Sequence, residues 1–406
     1  MELVHARCAG LDVHARMISA CIRVVSGQGV KREVRSFGTS TVELQRMADW
    51  LASEGCTHVA MESTGVYWKP AWHVLEGRFE LVLANAMQVR NMPGRKSDVN
   101  DATWLAELLA HGLIRPSFVP PAPIQELRDL TRTRKQLVRE IARHTLRIQK
   151  TLEDANIKLK SVASDILGRS GRAVLRAMVA GESDPDRLAE LTKGRLRASR
   201  EAIIEALRGS VTEHHRFMIK LHLEQIEQLE AAVREVEARA GQAPFRAAIE
   251  LLTTIPGVSE TTATVIVAEI GDDMTRFPSA GHLLSWAGLC PRLDESAGKR
   301  HSNRLRQGAP WLKTVLVQAA WGASRKRDSY LRARFLRLKL RRGPKKAVVA
   351  IAASMLVAAY HMLKSGVVYE DLGGDYFDRL NHQKATDRLV RQLTALGYRV
   401  QLEPAA

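Results

Sequence analysis

The sequence has few cysteines and no arrangement of them that would bind a metal or form a cross-link. Its 406 residues include four cysteines, and none of them forms the Cys-x-x-Cys spacing of zinc and redox sites. We therefore expect buried thiols in a reducing cytoplasm, not disulfides or a structural zinc. Long uncharged apolar runs and a basic-then-apolar leader are lacking as well, so neither a membrane span nor a signal peptide is expected. The cysteines are Cys8, Cys21, Cys56 and Cys290.

Acidic residues are too few to balance the basic ones. The chain has 61 Lys and Arg against 44 Asp and Glu, which gives a net charge of +17. The excess is concentrated in residues 251–366, where 19 basic and 7 acidic residues give +12. Between Lys299 and Lys346 there are 16 basic residues and a single acid, Asp328. Such clustering favours a polyanionic partner such as nucleic acid over a generally basic surface.

The first 120 residues alternate short strands with helices. The expected elements are strands at Arg7–Val13, Met17–Val25 and Lys31–Gly38, a helix at Thr41–Ser53, a strand at Thr57–Glu62, a helix near Trp68–Glu76, a strand at Phe79–Ala84 and a helix beginning near Asp98. This βββαβαβα order is that of an RNase H-like (RuvC-like) fold, in which the first and fourth strands are parallel neighbours. The sequence therefore predicts an α/β domain at residues 1–120.

Four carboxylates fall where such a fold would gather them. Asp12 and Glu62 each close a short apolar run, and parallel neighbours roughly 4.8 Å apart would put them side by side. Asp98 and Asp101 are three residues apart at the start of the expected helix, so both would project from one face of its first turn. Any one of them alone would more often be a helix cap or an exposed strand-end residue. Together they predict a metal site.

The chemistry of phosphodiesters explains why carboxylates would be needed there. Cleavage requires neutralisation of the charge around phosphorus, and Mg²⁺, which binds oxygen ligands, supplies it. Without a cation the like charges would repel one another at such short distances. The sequence thus predicts Mg²⁺ at Asp12, Glu62, Asp98 and Asp101, and leaves open whether one or two ions bind.

Four prolines between residues 116 and 123 mark the end of the first domain. Residues 121–245 are expected to form a coiled-coil arm, because apolar residues between Ile219 and Val236 keep an a/d rhythm. This seam could pair within the chain or between protomers, and the second is slightly favoured.

Residues 246–366 are expected to form an all-α domain with a helix-hairpin-helix. Ile255-Pro-Gly-Val258 lies between two apolar helical stretches, and its glycine turn would offer backbone N–H groups to a phosphate. Further helices are expected at Trp311–Ala323, Arg325–Arg342 and Lys346–Leu363, followed by a helical appendage at 367–406. The residues expected to contact nucleic acid are Lys299, Arg300, Arg304, Arg306, Arg327, Arg334, Arg337, Arg341, Lys345 and Lys346.

A serine in the basic region has the surroundings that a nucleophile would need. Ser296 is followed by a small residue and a glycine, which would let a phosphate approach the hydroxyl closely. Lys299, Arg300 and His301 could bind the phosphate oxygens or lower the proton affinity of the hydroxyl. Spacing alone does not separate this role from that of an ordinary loop serine.

Several strings, in the same order along residues 8–366, resemble the DEDD insertion-sequence transposases. This family is also called the bridge-RNA-guided recombinases and includes the Piv-type DNA invertases. The strings are Gly10-Leu-Asp-Val-His14, Ala60-Met-Glu-Ser-Thr-Gly-Val-Tyr-Trp68, Lys96-Ser-Asp-Val-Asn-Asp-Ala102, Ile255-Pro-Gly-Val258, Glu295-Ser-Ala-Gly-Lys299 and Gly308-Ala-Pro-Trp-Leu312. One departure is Ala309, where the family often has asparagine.

The resemblance implies a division of labour between the domains. A RuvC-like domain would carry the tetrad Asp12, Glu62, Asp98 and Asp101, and Ser296 would attack DNA to give a phosphoserine intermediate. It also implies a bacterial cytoplasmic protein that acts as a dimer or tetramer, with half-sites from different protomers. A guide (bridge) RNA that pairs with donor and target DNA would choose the sequences.

Three other functions are compatible with the same residues. The first is a Piv-like invertase that works without RNA. The second is a RuvC-type junction nuclease that uses metal-activated water, against which Ser296 argues. The third is a non-catalytic basic scaffold that binds nucleic acid.

Overall fold

A computed structural model of the chain describes residues 2–27, 29–62, 65–92, 100–192, 198–291, 295–296, 298–300, 305, 308–380 and 382–402. The chain divides into two compact units, residues 1–120 and 121–406. The sequence-based division at residue 245 within the second unit stays a prediction.

The first unit is built on a five-stranded sheet in the order β3-β2-β1-β4-β5. β1 pairs antiparallel with β2 and parallel with β4, in a register that aligns Leu11 with Met61. The expected parallel pairing of the first and fourth strands is therefore confirmed. The strands are β1 (Arg7–Val13), β2 (Met17–Ser26), β3 (Gly29–Gly38), β4 (His58–Glu62) and β5 (Glu80–Ala84).

Helices cover both faces of this sheet, as the RuvC-like fold class requires. The helices are α1 (Thr41–Ser53), α2 (Trp68–Leu75), α3 (Ala86–Arg90) and α4 (Asp101–Ala110). Leu11 and Met61 point to the face covered by α1 and α2, where they join the larger core of this unit. Their neighbours Cys8 and Ala60 point to the opposite face and pack against Leu109 of α4. Side chains alternate along a strand, so each strand contributes to both cores.

Gly10 allows α4 to lie directly on the middle of β1. A Cβ atom at this position would be 2.2 Å from the carbonyl oxygen of Ala102 and 2.5 Å from the amide nitrogen of Ala106. Only a residue without a side chain permits such an approach of a helix to a strand.

The second unit is mostly helical. Its elements are α5 (Ala122–Asp154), α6 (Leu159–Val162), α7 (Arg169–Val179), α8 (Pro185–Glu190), α9 (Arg200–Ala206), α10 (Glu213–Gly241), α11 (Arg246–Thr253), α12 (Glu260–Ile270), a 3-10 helix (Met274–Arg276), α13 (Ala280–Ala287), β6 (Glu295–Ser296), β7 (Lys299–Arg300), α14 (Pro310–Ala323), α15 (Tyr330–Arg342), α16 (Pro344–Ser365), α17 (Tyr376–Leu380) and α18 (His382–Ala395).

The long helices α5 and α10 pack antiparallel against each other within the chain. An ion pair between Arg134 and Glu237 joins them at one level, and His215 contacts Asp154 at another. Buried apolar residues of both helices, such as Ile148 and Ile226, share one core with α7. Ile219 and Ile226 of the predicted seam are therefore buried inside the chain, while a contact between protomers stays a prediction.

The predicted hairpin is present as α11, a turn and α12. Gly257 in the turn has φ 83°, and a Cβ there would lie 2.4 Å from the carbonyl oxygen of Ala319 in α14. Close packing on α14 thus accounts for this glycine, while the expected phosphate contact stays a prediction.

Helix α16 has the length and mean hydropathy, 1.7, of a helix that could cross a membrane. Half of its apolar window is buried within the protein. Residues such as Ile351, Ala352 and Leu356 are fully enclosed by neighbouring helices of the second unit. This burial is what the central helix of a globular core shows.

The close approach at Gly10 leads to a test by substitution. We expect Gly10→Ala to lower the free energy of unfolding by about 3 kcal/mol or more, because the new methyl group must push α4 away from the sheet. Gly27→Ala is the matched control, since a Cβ at Gly27 would meet no atom within 4 Å. Urea unfolding of both variants measures the difference, and equal stability of the two would contradict the packing at Gly10.

Candidate active site

Asp12 and Glu62 lie at the same edge of the sheet and belong to the same face. The parallel register pairs Gly10 with Ala60 and Leu11 with Met61, so the next two residues are neighbours. Gly10 and Ala60 face α4, and the residues two positions further on therefore also face it. Both carboxylates are half-buried. Oδ2 of Asp12 lies 3.1 Å from Nε2 of His14, a more exposed side chain.

The start of α4 brings a third carboxylate, Asp101, to this edge. The helix runs from Ala102 beside Gly10 to Leu109 beside Cys8, so its N-terminus lies at the Asp12 end of β1. Asn100 caps the helix by accepting a hydrogen bond from the amide of Ala102 and donates to Ser19 Oγ at 3.3 Å.

Ser19 is the direct cross-strand partner of Asp12. The link between Asn100 and Ser19 therefore fixes the first turn of α4 next to this edge of the sheet. Three separate elements place Asp12, Glu62 and Asp101 at this edge of the sheet. The metal site that the sequence predicts from them stays a prediction.

The fourth predicted ligand, Asp98, lies outside the described residues. The sequence placed Asp98 and Asp101 in one helical turn, but α4 begins only at Asp101. Asn100 has ψ 139° and acts as the N-cap. The described helix thus begins at Asp101, with the Asn100 side chain as its cap. The shared first turn involves Asp98 and falls outside the described residues.

The donor atoms at this edge suit a hard divalent cation such as Mg²⁺, since carboxylate oxygens are its usual protein ligands. Within the described residues, which exclude 93–99, no three His, Cys, Asp or Glu side chains are close enough together to hold a metal ion. The donor set fits the cation in chemistry and in placement at one edge. Asp12, Glu62 and Asp101 do not by themselves form a set of metal ligands in the described structure.

A charged cluster behind this edge holds α4 on the sheet. Glu107 of α4 accepts hydrogen bonds from Arg23 Nε at 3.0 Å and Arg32 Nη2 at 2.8 Å. His111 Nε2 lies 3.2 Å from the same carboxylate. Burial alone would raise the pKa of Glu107, but the hydrogen bonds and charges of Arg32 and Arg23 outweigh it and lower the pKa to about 2.

Sequence reasoning missed this cluster, including Arg23, which the structure leaves only 5% exposed. The one available signal was an acid, Glu107, inside the apolar helix segment Leu105–Ala110. Its partners are 84 and 75 residues away in sequence, so no local pattern connects them.

Ser296 lies in a β-hairpin, not in the irregular loop that the sequence suggested. β6 and β7 pair antiparallel, with Ser296 opposite Lys299 and Glu295 opposite Arg300. Gly298, in the turn between them, has φ 73°, a conformation that glycine adopts without strain. The side chain of Ser296 is outside the described part of the structure.

The hairpin is anchored between α13 and α14. A Cβ at Gly308 would lie 2.5 Å from the backbone of Ala287 and of Gly288, so the two ends of the hairpin segment meet there. The hairpin that carries Ser296 therefore leaves and rejoins the helical core at one point.

The residues predicted to bind nucleic acid have different environments. Lys299, Arg341, Lys345 and Lys346 are exposed. Arg304, Arg306 and the side chain of Arg300 lie outside the described residues. The sequence predicted a basic helix at Arg325–Arg342 that would include Arg327. Arg327 lies outside this helix, because α15 begins only at Tyr330, after Asp328 at φ 51° and the N-cap Ser329.

Two of the predicted arginines on α15 contact aromatic residues. The guanidinium carbon of Arg337 lies 4.5 Å from the ring centroid of Phe377 in α17. Arg334 Nη1 donates to the hydroxyl of Tyr330 at 2.9 Å, and Tyr330 stacks on Phe377. Asp371 accepts from the amide of Tyr330, so the C-terminal segment is fixed to the start of α15.

Comparison with known proteins matches both halves of this arrangement. Residues 9–157, which include all four predicted ligands, match the family model of the DEDD transposases of IS110 type. Residues 249–336, which include Ser296, match the transposase IS116/IS110/IS902 family. The chain belongs to the IS110 family of DEDD transposases.

Individual relatives agree with this membership. An IS110 insertion-element protein from Streptomyces coelicolor is 33% identical over 147 residues, 34% of this chain and 36% of the relative. The transposase-like protein y4rJ of Sinorhizobium fredii is 25% identical over 306 residues, 69% of each chain. A mini-circle transposase-like protein for IS117, also from S. coelicolor, is 27% identical over 267 residues, 57% of this chain and 63% of the relative. This chain therefore matches from about a third to about two thirds of the length of these relatives.

The departure at Ala309 has a structural consequence. Ala309 is the N-cap of α14, and no side chain caps this helix. The asparagine that is common in the family at this position could accept a hydrogen bond from the first turn, whereas alanine cannot.

We expect Ala309→Asn to raise the free energy of unfolding by about 1 kcal/mol, because it supplies the missing cap. Ala309→Leu is the control of similar size that cannot accept a hydrogen bond. Urea unfolding distinguishes them, and a stabilisation by leucine as large as that by asparagine would show that capping is not the cause.

The Glu107 cluster makes a second prediction. Glu107→Gln should lower the free energy of unfolding by about 2–3 kcal/mol at pH 7, because Arg23 and Arg32 lose their counter-charge. This is somewhat less than the loss from breaking a fully buried ion pair. Asp49→Asn is the control, since Asp49 pairs with Arg78 at an exposed site, and should change stability by less than about 0.5 kcal/mol.

The effect of Glu107 must depend on pH. The pKa of Glu107 is lowered in the folded state, from 4.5 to about 2. The stability that the charged Glu107 provides is therefore fully present above the unfolded pKa, and it is lost as the pH falls from the unfolded to the folded pKa. The stability gap between wild type and Glu107→Gln should therefore narrow below pH 4.5. A gap that stayed constant from pH 7 to pH 3 would refute this assignment.

Proposed function

We propose that this protein is the transposase of an insertion sequence, a recombinase that cleaves and exchanges DNA strands through a phosphoserine intermediate. The observation that carries the proposal is the meeting of Asp12, Glu62 and the N-terminus of α4 at one edge of the sheet. Membership of the IS110 family supplies the reaction class.

Asp12 is hard to explain as a structural residue. Glu107 shows how the fold treats a structural acid, with two arginines bound to one carboxylate. At the edge, the ion pair that Asp12 makes is with the exposed His14, which is charged only when protonated. Neighbouring carboxylates repel unless a cation lies between them.

In this proposal Asp12, Glu62, Asp98 and Asp101 would hold Mg²⁺. The cation would neutralise charge on the phosphate undergoing substitution. His14 would release Asp12 for this role, since their contact is exposed and costs little to break.

The serine would provide the covalent step. Ser296 Oγ forms a bond to phosphorus, the bond from phosphorus to one DNA oxygen breaks, and the serine proton is passed to a base while the leaving oxygen gains one. A hydroxyl of another DNA end then attacks the phosphoserine and restores the free serine. Lys299, opposite Ser296 in the hairpin, would bind the phosphate oxygens.

We further propose that the protein acts as a dimer or tetramer in the bacterial cytoplasm, with donor and target DNA as substrates. A guide RNA would choose the sequences, consistent with a basic surface suited to backbone and shape contacts.

The test of the chemistry is a covalent protein–DNA adduct on a denaturing gel. Wild type with Mg²⁺ and DNA of the insertion-sequence ends should form the adduct, and Ser296→Ala and Asp12→Asn should reduce it by about a hundredfold or more. Ser302→Ala, a serine of the same basic segment, is the control. EDTA should also abolish the adduct.

The same experiment separates the alternatives. Cleavage without an adduct would favour a junction nuclease that uses metal-activated water. An absence of any effect of Asp12→Asn would favour a non-catalytic scaffold. Sequencing the RNA that co-purifies with the protein distinguishes an RNA-guided enzyme from a Piv-like invertase without RNA.

A further inference from the structure

Three cationic side chains of α5 surround one tryptophan of α14. The guanidinium carbons of Arg132 and Arg139 lie 5.6 and 5.5 Å from the ring centroid of Trp311, and Lys135 Nζ lies 5.2 Å from it. The three cations are spaced by three and four residues, so they share one face of α5. We call Arg132, Lys135, Arg139 and Trp311 the Trp311 cluster.

The acid near this cluster is already fully engaged. Glu269 is 1% exposed and accepts two hydrogen bonds from Arg132, both at 2.9 Å. It also lies 3.9 Å from Arg128, a second arginine that approaches the same carboxylate. One negative charge is thus shared by two guanidinium groups.

Lys135 and Arg139 are compensated less directly than Arg132 and Arg128. In the part of the chain that the structure describes, neither of them makes an ion pair. Burial lowers the pKa of Lys135 below its ordinary value and the charge of Arg139 lowers it further, although the charge of Glu269 opposes both effects. The two cations therefore repel each other next to a ring that attracts both.

Packing on Trp311 does not account for this arrangement. A cation over an aromatic ring at an exposed site gains about 0.5–1 kcal/mol, and one cation is enough to cover a ring face. A third cation adds repulsion at similar cost. An arrangement of this kind is favourable when an anion joins it.

We propose that the Trp311 cluster is a contact surface for the phosphate backbone of the DNA substrate. Its cations extend from Arg132 to Arg139, which are seven helical steps or about 10 Å apart, a length that covers several phosphates of one strand. The inference rests on the proposed function. DNA is chosen as the partner because every enzymatic version of that function needs it, whereas only one version needs RNA.

The test is equilibrium binding of a fluorescent 40-base-pair duplex, measured by anisotropy from about 100 to 300 mM salt in EDTA. Lys135→Gln/Arg139→Gln should weaken binding roughly tenfold at 150 mM salt and reduce the slope of log K against log salt by about 2. Glutamine keeps an alkyl stem on Trp311, so the melting temperature should not change.

The matched control removes the same charges elsewhere on α5. Arg143→Gln/Lys150→Gln takes one arginine and one lysine from exposed positions outside the cluster and should leave the slope within about 0.5 of wild type. The exchange Lys135→Arg/Arg139→Lys keeps both charges and should bind as wild type does.

Three results would overturn the proposal. One is an unchanged slope in Lys135→Gln/Arg139→Gln. Another is an equal loss of DNA affinity in Arg143→Gln/Lys150→Gln, which would show that only the net charge matters. The third is that Lys135→Gln/Arg139→Gln loses affinity only for a single-stranded 40-nucleotide RNA probe, which would assign the surface to RNA. Because EDTA prevents chemistry, this assay is independent of the adduct experiment, and either proposal can fail alone.

Discussion

The contact of α4 with β1 at Gly10 is the constraint on which the first unit depends. Without a Cβ at that position, the helix backbone can lie directly on the strand, and its N-terminus then falls where β1 and β4 end. Glu107 pins the other end of the helix through Arg23 and Arg32. A glycine in the sheet and an ion cluster at its side thus place the first-turn residue Asp101 at the same edge as Asp12.

This design separates the charges that stabilise the fold from those that the proposed chemistry uses. The carboxylate of Glu107 is bound by two arginines, and its low pKa records that the charged form is favoured in the folded state. Asp12 pairs instead with the exposed His14, a contact that a cation can replace at little cost. Stability and substrate handling therefore rely on different acids of neighbouring elements, and substitutions at the two places should separate in their effects.

Much of the first unit could be predicted from the sequence because its signals are local. Alternation and turn residues give the strands, and β1 and α1 were predicted at their observed bounds. Predictions failed where one polar side chain or one backbone angle decides an end. Asn100 makes α4 start later than expected, and Ser329 does the same for α15. Pairings across many residues, such as Arg23 with Glu107, leave no local pattern at all.

The distribution of basic residues in the second unit shows why net charge overstates a nucleic-acid surface. Arg128 and Arg132 both lie against the buried Glu269 and share its charge. Charges used in this way cannot all be available to phosphates without a local rearrangement. Lys135 and Arg139 are the opposite case, since they are gathered at one place where, among the described residues, neither is paired with an acid. The position of a cation relative to its internal partners, more than its presence in a basic segment, therefore indicates where a polyanion would bind.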